Sequence, residues 1–204
     1  SANELLYAAT LTNDKARQEA IYKKTTELYP NDFRAYNNLG MMAYANGDFT
    51  TAENYFKQAA SKDANAPEVN TNLGYIELVK GNVANAETYL SKSTGANTAN
   101  EALGNLYIKQ GQYDRAVQAF GDTKTNSAAL AQILAKDYNK AKNTLNAVKN
   151  PDAYTDYLMA IVGARTNNAD LVKTSMAKVA QKDATLAAKA QIDREFAKYA
   201  NEIK

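Results

Sequence analysis

Between residues 33 and 63, apolar side chains fall on two stripes separated by a break. Tyr36, Leu39, Gly40 and Ala43 follow the i, i+3, i+4, i+7 spacing that puts side chains on one face of a helix. Asn46-Gly47-Asp48 interrupts that face. Glycine suits the left-handed residue that ends a helix, and aspartate caps the next one. A second stripe follows at Phe49, Ala52, Phe56 and Ala59 and closes near Asp63. The pattern predicts two antiparallel helices folded against each other.

The same pattern returns along the chain. Leu39-Gly40 recurs as Leu73-Gly74 and Leu103-Gly104, at spacings of 34 and 30 residues, and Gly47 recurs as Gly81 and Gly111 at the same spacings. Ala52 returns as Ala86, Ala116 and Ala141, each followed four residues later by a bulky Phe56, Leu90, Phe120 or Leu145. A period of this length is the mark of a stacked array of helix pairs. Helix pairs are expected over residues 3–30, 32–64, 66–95, 98–123, 126–148 and 151–182, with a capping helix over 184–200. Gly95-Ala96-Asn97 reads as a repeat junction, Asn150-Pro151 as a cap and first-turn proline, and Asn167-Asn168 as a turn. No linker or low-complexity stretch divides residues 1–204, which read as a single all-α domain. A mid-helix glycine costs about 1 kcal/mol relative to alanine. Close backbone approach of the paired helices, with Ala52, Ala86 and Ala116 as the facing small surface, is the expected reason for Gly40, Gly74 and Gly104.

These residues resemble the tetratricopeptide repeat. Phe33 to Ala66 looks like one complete repeat: Tyr36 matches the family's aromatic, Leu39-Gly40 its Leu-Gly pair, Ala52 its small residue, and Phe56 and Ala59 its later core positions. Pro67 to Gly95 and Ala99 to Lys124 follow the same pattern, although Asn70 and Asn100 replace the aromatic and Glu77 stands where a tyrosine is usual. The resemblance implies an α-α superhelical solenoid whose inner surface is lined by the first helix of each pair.

In the family's register that surface receives Arg34, Asn37, Asn38, Met41, Tyr44 and Ala45 from one repeat. The next supplies Glu68, Thr71, Asn72, Tyr75, Leu78 and Val79, and the third supplies Glu101, Asn105, Ile108 and Lys109. Related proteins use asparagine at the Asn38 and Asn72 position to hold an extended peptide by its main chain, since an amide offers both a donor and an acceptor. The alternative is that these amides bond neighbouring helices or solvent. Ala102 fills the third such position. Packing between repeats is the favoured role for Tyr75, and Tyr44 suits either role. The family's chaperone-tail receptors grip a carboxylate with basic residues where this chain has Asn37, Thr98 and Ala102, so that specificity is not expected.

Composition narrows the chemistry. The 204 residues contain no cysteine and no histidine, which removes thiol nucleophiles, disulfides and Cys/His zinc sites. No Gly-rich phosphate loop is present, and the Asp193 and Glu195 carboxylates lie two residues apart, off a common helix face. No catalytic, cofactor-binding or metal-binding set is expected. Lys and Arg total 24 against 22 Asp and Glu, a balance that gives nucleic acid no electrostatic handle. No apolar run reaches the ~20 residues of a membrane-spanning helix. The expected partner is a protein or peptide.

A second resemblance adds a location. Glu4-Leu5-Leu6-Tyr7 to Ala20-Ile21-Tyr22, Arg34-Ala35-Tyr36-Asn37-Asn38-Leu39-Gly40 and Gly163-Ala164-Arg165-Thr166-Asn167-Asn168 look like the tetratricopeptide segment of large bacterial cell-envelope proteins. That resemblance implies a piece of a longer exported protein, periplasmic or associated with the outer membrane. There it would act either as a binding scaffold or as a structural spacer without a separable ligand.

Overall fold

A single kind of helix corner recurs through the chain, and its hydrogen bonds set the register. The computed structural model describes residues 1–93 and 97–204; the expected junction at Gly95-Ala96 lies outside them. At the end of α3 (Phe33–Ala45) the Asp48 N–H donates to the Ala43 carbonyl at 2.9 Å, closing the turn around Gly47 at φ 78°. Among the described residues the same bond returns at 2.8 Å from Asn82 to Glu77, Gln112 to Tyr107, Asp137 to Gln132 and Asn168 to Gly163. These are the bonds that satisfy the last carbonyls of a helix. The left-handed residue is Gly81 and Gly111 at two of these corners, but Lys136 (φ 66°) and Asn167 (φ 56°) at the others.

Lysine pays a conformational penalty at that corner. A left-handed L-residue costs about 1–2 kcal/mol. Glycine removes most of that penalty while losing about 0.5–1 kcal/mol of chain entropy. Lys136→Gly is therefore expected to stabilise by about 0.5–1 kcal/mol, read as a rise of a few degrees in Tm in thermal unfolding. An unchanged or lower Tm would remove this account of the corner.

The first unit, Ser1–Ala102, is built from α1 (Ala2–Thr10), α2 (Lys15–Leu28), α3, α4 (Phe49–Lys62), α5 (Pro67–Val79), α6 (Val83–Lys92) and the start of α7 (Asn97–Lys109). Asp14, Asp32 and Asp48 cap α2, α3 and α4 through their carboxylates, and Pro67 opens α5. Ala52, Phe56, Ala59, Val69, Leu73 and Ile76 form one buried cluster, and Ala9, Tyr22 and Leu39 another. The tightest contact at the mid-helix glycines is with a bulky side chain, and at Gly74 the Ala86 carbonyl follows at 3.6 Å. A Cβ on Gly40 would lie 2.5 Å from the Phe56 ring, and one on Gly74 would lie 2.7 Å from Leu90 Cγ. This corrects the expected backbone contact: the small residue makes room for the large one that follows Ala52 or Ala86 by four.

The second unit, Leu103–Lys204, holds the rest of α7, α8 (Tyr113–Phe120), α9 (Asn126–Leu134), α10 (Tyr138–Asn146), α11 (Ala153–Arg165), α12 (Ala169–Lys182) and α13 (Ala184–Ala190). Gly104 lies under the Phe120 ring in the same way, 2.5 Å from where its Cβ would be. Two details differ from the expected boundaries. Asp152, not Asn150, caps α11 in a reciprocal arrangement with Thr155, leaving Pro151 outside the helix. The expected helix over 184–200 is broken. Asp193 is extended, its carboxylate accepts the Glu195 N–H, and a 3-10 turn runs from Arg194 to Tyr199.

Candidate partner-binding face

Helix register sets which side chains of α3 and α5 remain outside the core. Leu39 and Gly40 on α3, and Leu73, Gly74 and Ile76 on α5, are buried against the second helices. The opposite faces carry the residues assigned to the inner surface. Met41 is 51% exposed, Asn38 and Tyr44 are half-buried, and among the described residues no hydrogen bond engages the Asn38 amide.

Some neighbouring positions are already satisfied within the unit. Asn37 is buried, its Oδ1 accepts from Asn72 Nδ2 at 2.8 Å, and its own amide reaches Met41 Sδ at 3.8 Å. Thr71 is buried and donates back to the Pro67 carbonyl at 2.8 Å, which Ser93 also reaches at 2.8 Å. Arg34 is paired with Asp32, donating from Nη2 at 2.6 Å and from Nε at 3.0 Å. The arginine beside it holds the Asp32 carboxyl below the usual carboxylate range.

Aromatic side chains fill the space between the two helices. The Tyr44 ring meets Phe49 edge-on at 5.1 Å and Tyr75 at 6.5 Å. Tyr75 donates to the Thr98 carbonyl at 3.3 Å, and burial pushes its phenol up, followed by the charge of Glu101. Asn37 thus links Met41 to Asn72, and the rings of Tyr44 and Tyr75 meet across α3 and α5. Asn105, half-buried, and Lys109, exposed, lie on α7 in the second unit.

The flank between α4 and α6 has a different character. Glu77, at the family's usual tyrosine position, is 7% exposed. It accepts from Asn82 at 2.9 Å, Asn85 at 3.2 Å and Lys80 at 3.2 Å. Lys80 and Lys57 also meet Glu53, at 3.2 and 2.7 Å. The Asn82 amide and the other donors outweigh burial and hold the Glu77 carboxyl below its ordinary range. Because the folded value is the lower one, the stabilisation is complete above the unfolded value, about 4.3, and is lost as pH falls through the folded value. Glu77→Gln is therefore expected to lower Tm at pH 7 and to lower it less at an acid pH below the folded value. An equal loss at both pH values would show that ionisation is not what holds this cluster.

A further surface lies on α11. By the corner bonds, Tyr157, Ile161, Ala164 and Arg165 on α11 occupy the positions that Asn37, Met41, Tyr44 and Ala45 hold on α3. The 3-10 segment lies on them: Phe196 meets the Tyr157 ring at 5.4 Å, and Arg165 pairs with Glu195 at 2.7 and 3.0 Å. Its sequence signal is Asp193, a cap residue inside the expected 184–200 helix. Among the described residues no helix is long and apolar enough to cross a membrane. No cluster of three acidic side chains among them could hold a metal ion.

Residues 38–101, 21–54 and 101–124 match descriptions of the tetratricopeptide repeat. The chain is similar in structure to PilF of Pseudomonas aeruginosa, with TM-score 0.75 and 12% identity over 98% of this chain and 97% of that one. It is also similar to PilW, a type IV pilus biogenesis factor, with TM-score 0.66 and 18% identity over 97% of each chain. YrrB, a tetratricopeptide protein with an unusual peptide-binding site, is similar with TM-score 0.64 and 18% identity over 82% of this chain and 97% of that one. A comparison with curated proteins gives no match.

Proposed function

The chain belongs to the tetratricopeptide repeat family, a class of protein–protein interaction modules, and from that premise we propose that α3 and α5 hold a short extended segment of a partner protein. One observation carries the reading: the Asn38 amide is unbonded among the described residues, and it stands on the same helix as the half-exposed Met41. Such an amide offers a peptide unit both a donor and an acceptor whatever its sequence. Methionine adapts its shape to varied apolar side chains, and Tyr44 and Tyr75 supply aromatic area with polar tips. Asn72 has a donor committed to Asn37 and offers its carbonyl oxygen. We place the contact residues at Asn38, Met41, Tyr44, Asn72 and Tyr75. Asn37 supports Asn72 and Met41 through its side chain.

The proposed location is the bacterial cell envelope, periplasmic or associated with the outer membrane. The likeness to PilF and PilW along nearly the whole of each chain supports it.

The test is selection of binding peptides from a random display library on the intact chain, followed by titration. Asn38→Ala with Met41→Ala is expected to weaken the selected peptides by about 10-fold or more, as for central contact residues, with Tm unchanged. Unchanged affinity in the folded double variant would refute the assignment.

A further inference from the structure

The segment that follows α13 does not behave like part of a packed helix. Ile192, just before it, is 86% exposed, and from Asp193 onward the backbone makes short-range bonds, Phe196 N–H to Asp193 and Glu202 N–H to Tyr199. Such a 3-10 turn has little stability of its own. Side chains hold it in place instead. Phe196, Tyr199 and Ile203 are 1%, 5% and 8% exposed, in one cluster with Tyr157, Val172 and Met176.

Its polar contacts are directed at the same helix face. The Tyr157 hydroxyl donates to the Asp193 carboxylate, the Arg165 guanidinium donates to both oxygens of Glu195, and the Tyr199 hydroxyl reaches the Ala164 carbonyl at 3.4 Å. Lys198 donates to Asn167 Oδ1 at 3.0 Å, and the Gln191 amide donates to the Ile203 carbonyl. Tyr157, Ala164 and Arg165 are the α11 counterparts of Asn37, Tyr44 and Ala45 on α3. Two carboxylates and two aromatic rings, in the order Asp-x-Glu-Phe-x-x-Tyr, therefore sit on a ready-made receptor face that supplies a phenol, a guanidinium and an apolar floor.

We infer that the segment Asp193–Ile203 is a tethered occupant of a binding surface on α11, and that this surface, when vacated, takes a partner segment of the same chemistry: a short acidic stretch followed by aromatic residues. A tethered competitor lowers the apparent affinity for that partner by the fraction of time it is bound. The inference uses the register shared with α3 but does not require α3 or α5 to bind anything.

The probe is a fluorescent peptide with the sequence of residues 191–204, titrated by anisotropy into the intact chain. Asp193→Ala with Phe196→Ala, which loosens the resident segment, is expected to bind it about 10-fold or more tightly than the unaltered chain does. Adding Arg165→Glu is expected to abolish that gain, whereas adding Met41→Asp on α3 leaves it intact, so this result is separate from the fate of the first unit's face. Equal binding to the unaltered and loosened chains, or binding to neither, overturns the inference when both retain their helical circular dichroism. Should the double variant lose helix, Glu195→Arg replaces it, and the same two readings decide.

Discussion

Phe56→Ala is expected to destabilise the first unit by about 3–5 kcal/mol, measured by chemical denaturation followed through helical circular dichroism. The ring is 1% exposed and lies over Gly40, which has no side chain to fill the space left behind. The cavity term is therefore expected at the upper end. Gly40→Ala attacks the same contact from the other side. Its Cβ would meet the ring at 2.5 Å, an overpacking penalty of about 1–3 kcal/mol set against about 1 kcal/mol gained in helix propensity. The second unit shows how the pair can be re-matched. At the corresponding positions Ala129 stands with Leu145, and Ala160 with Met176, in shared buried clusters. Gly40→Ala with Phe56→Leu is accordingly expected to lose less stability than the two single changes added together. Strict additivity would mean that these two residues do not answer each other.

Leu158→Ala is the second large effect, expected at about 2–5 kcal/mol in the same measurement. Leu158 is fully buried among Ala129, Ile133, Leu145 and Val162. It occupies on α11 the register position that Asn38 occupies on α3. Asn38→Ala, at a half-buried amide unbonded among the described residues, is expected to change stability by no more than about 0.5 kcal/mol. One register position thus belongs to the core in one pair and to the surface in another. The contrast between the two substitutions measures that division directly.

The helix pairs were legible because their causes are local and repeated. The Gly47, Gly81 and Gly111 corners need a left-handed residue, and the chain spells it with the residue that adopts it most easily. Where Lys136 takes the same conformation, the signal disappears although the turn does not. The pairing of Gly40 with Phe56 was half legible. Both residues stood out by recurrence, but only coordinates show that the ring, and not the partner backbone, occupies the space. Candidate site residues divided in the same way. Register placed Asn37 and Asn72 on the inner face, but not the 2.8 Å bond between them, which joins helices 35 residues apart in sequence. Glu77 was visible as a departure from the family, while its three donors come partly from the next helix. The segment on α11 was least legible, because six residues of 3-10 turn carry the composition of an ordinary helix end.

The proposed function requires the surface of α3 and α5 to be where another protein is held. A photo-crosslinking amino acid at Met41, compared with one at Lys57 on α4, in cells that produce the protein tests this most directly. Position 41 is expected to give a discrete crosslinked protein, recovered with the envelope fraction and lost when Asn38→Ala and Tyr75→Ala are added. Crosslinks that form equally at position 57, or none at position 41 from a folded chain, would contradict it.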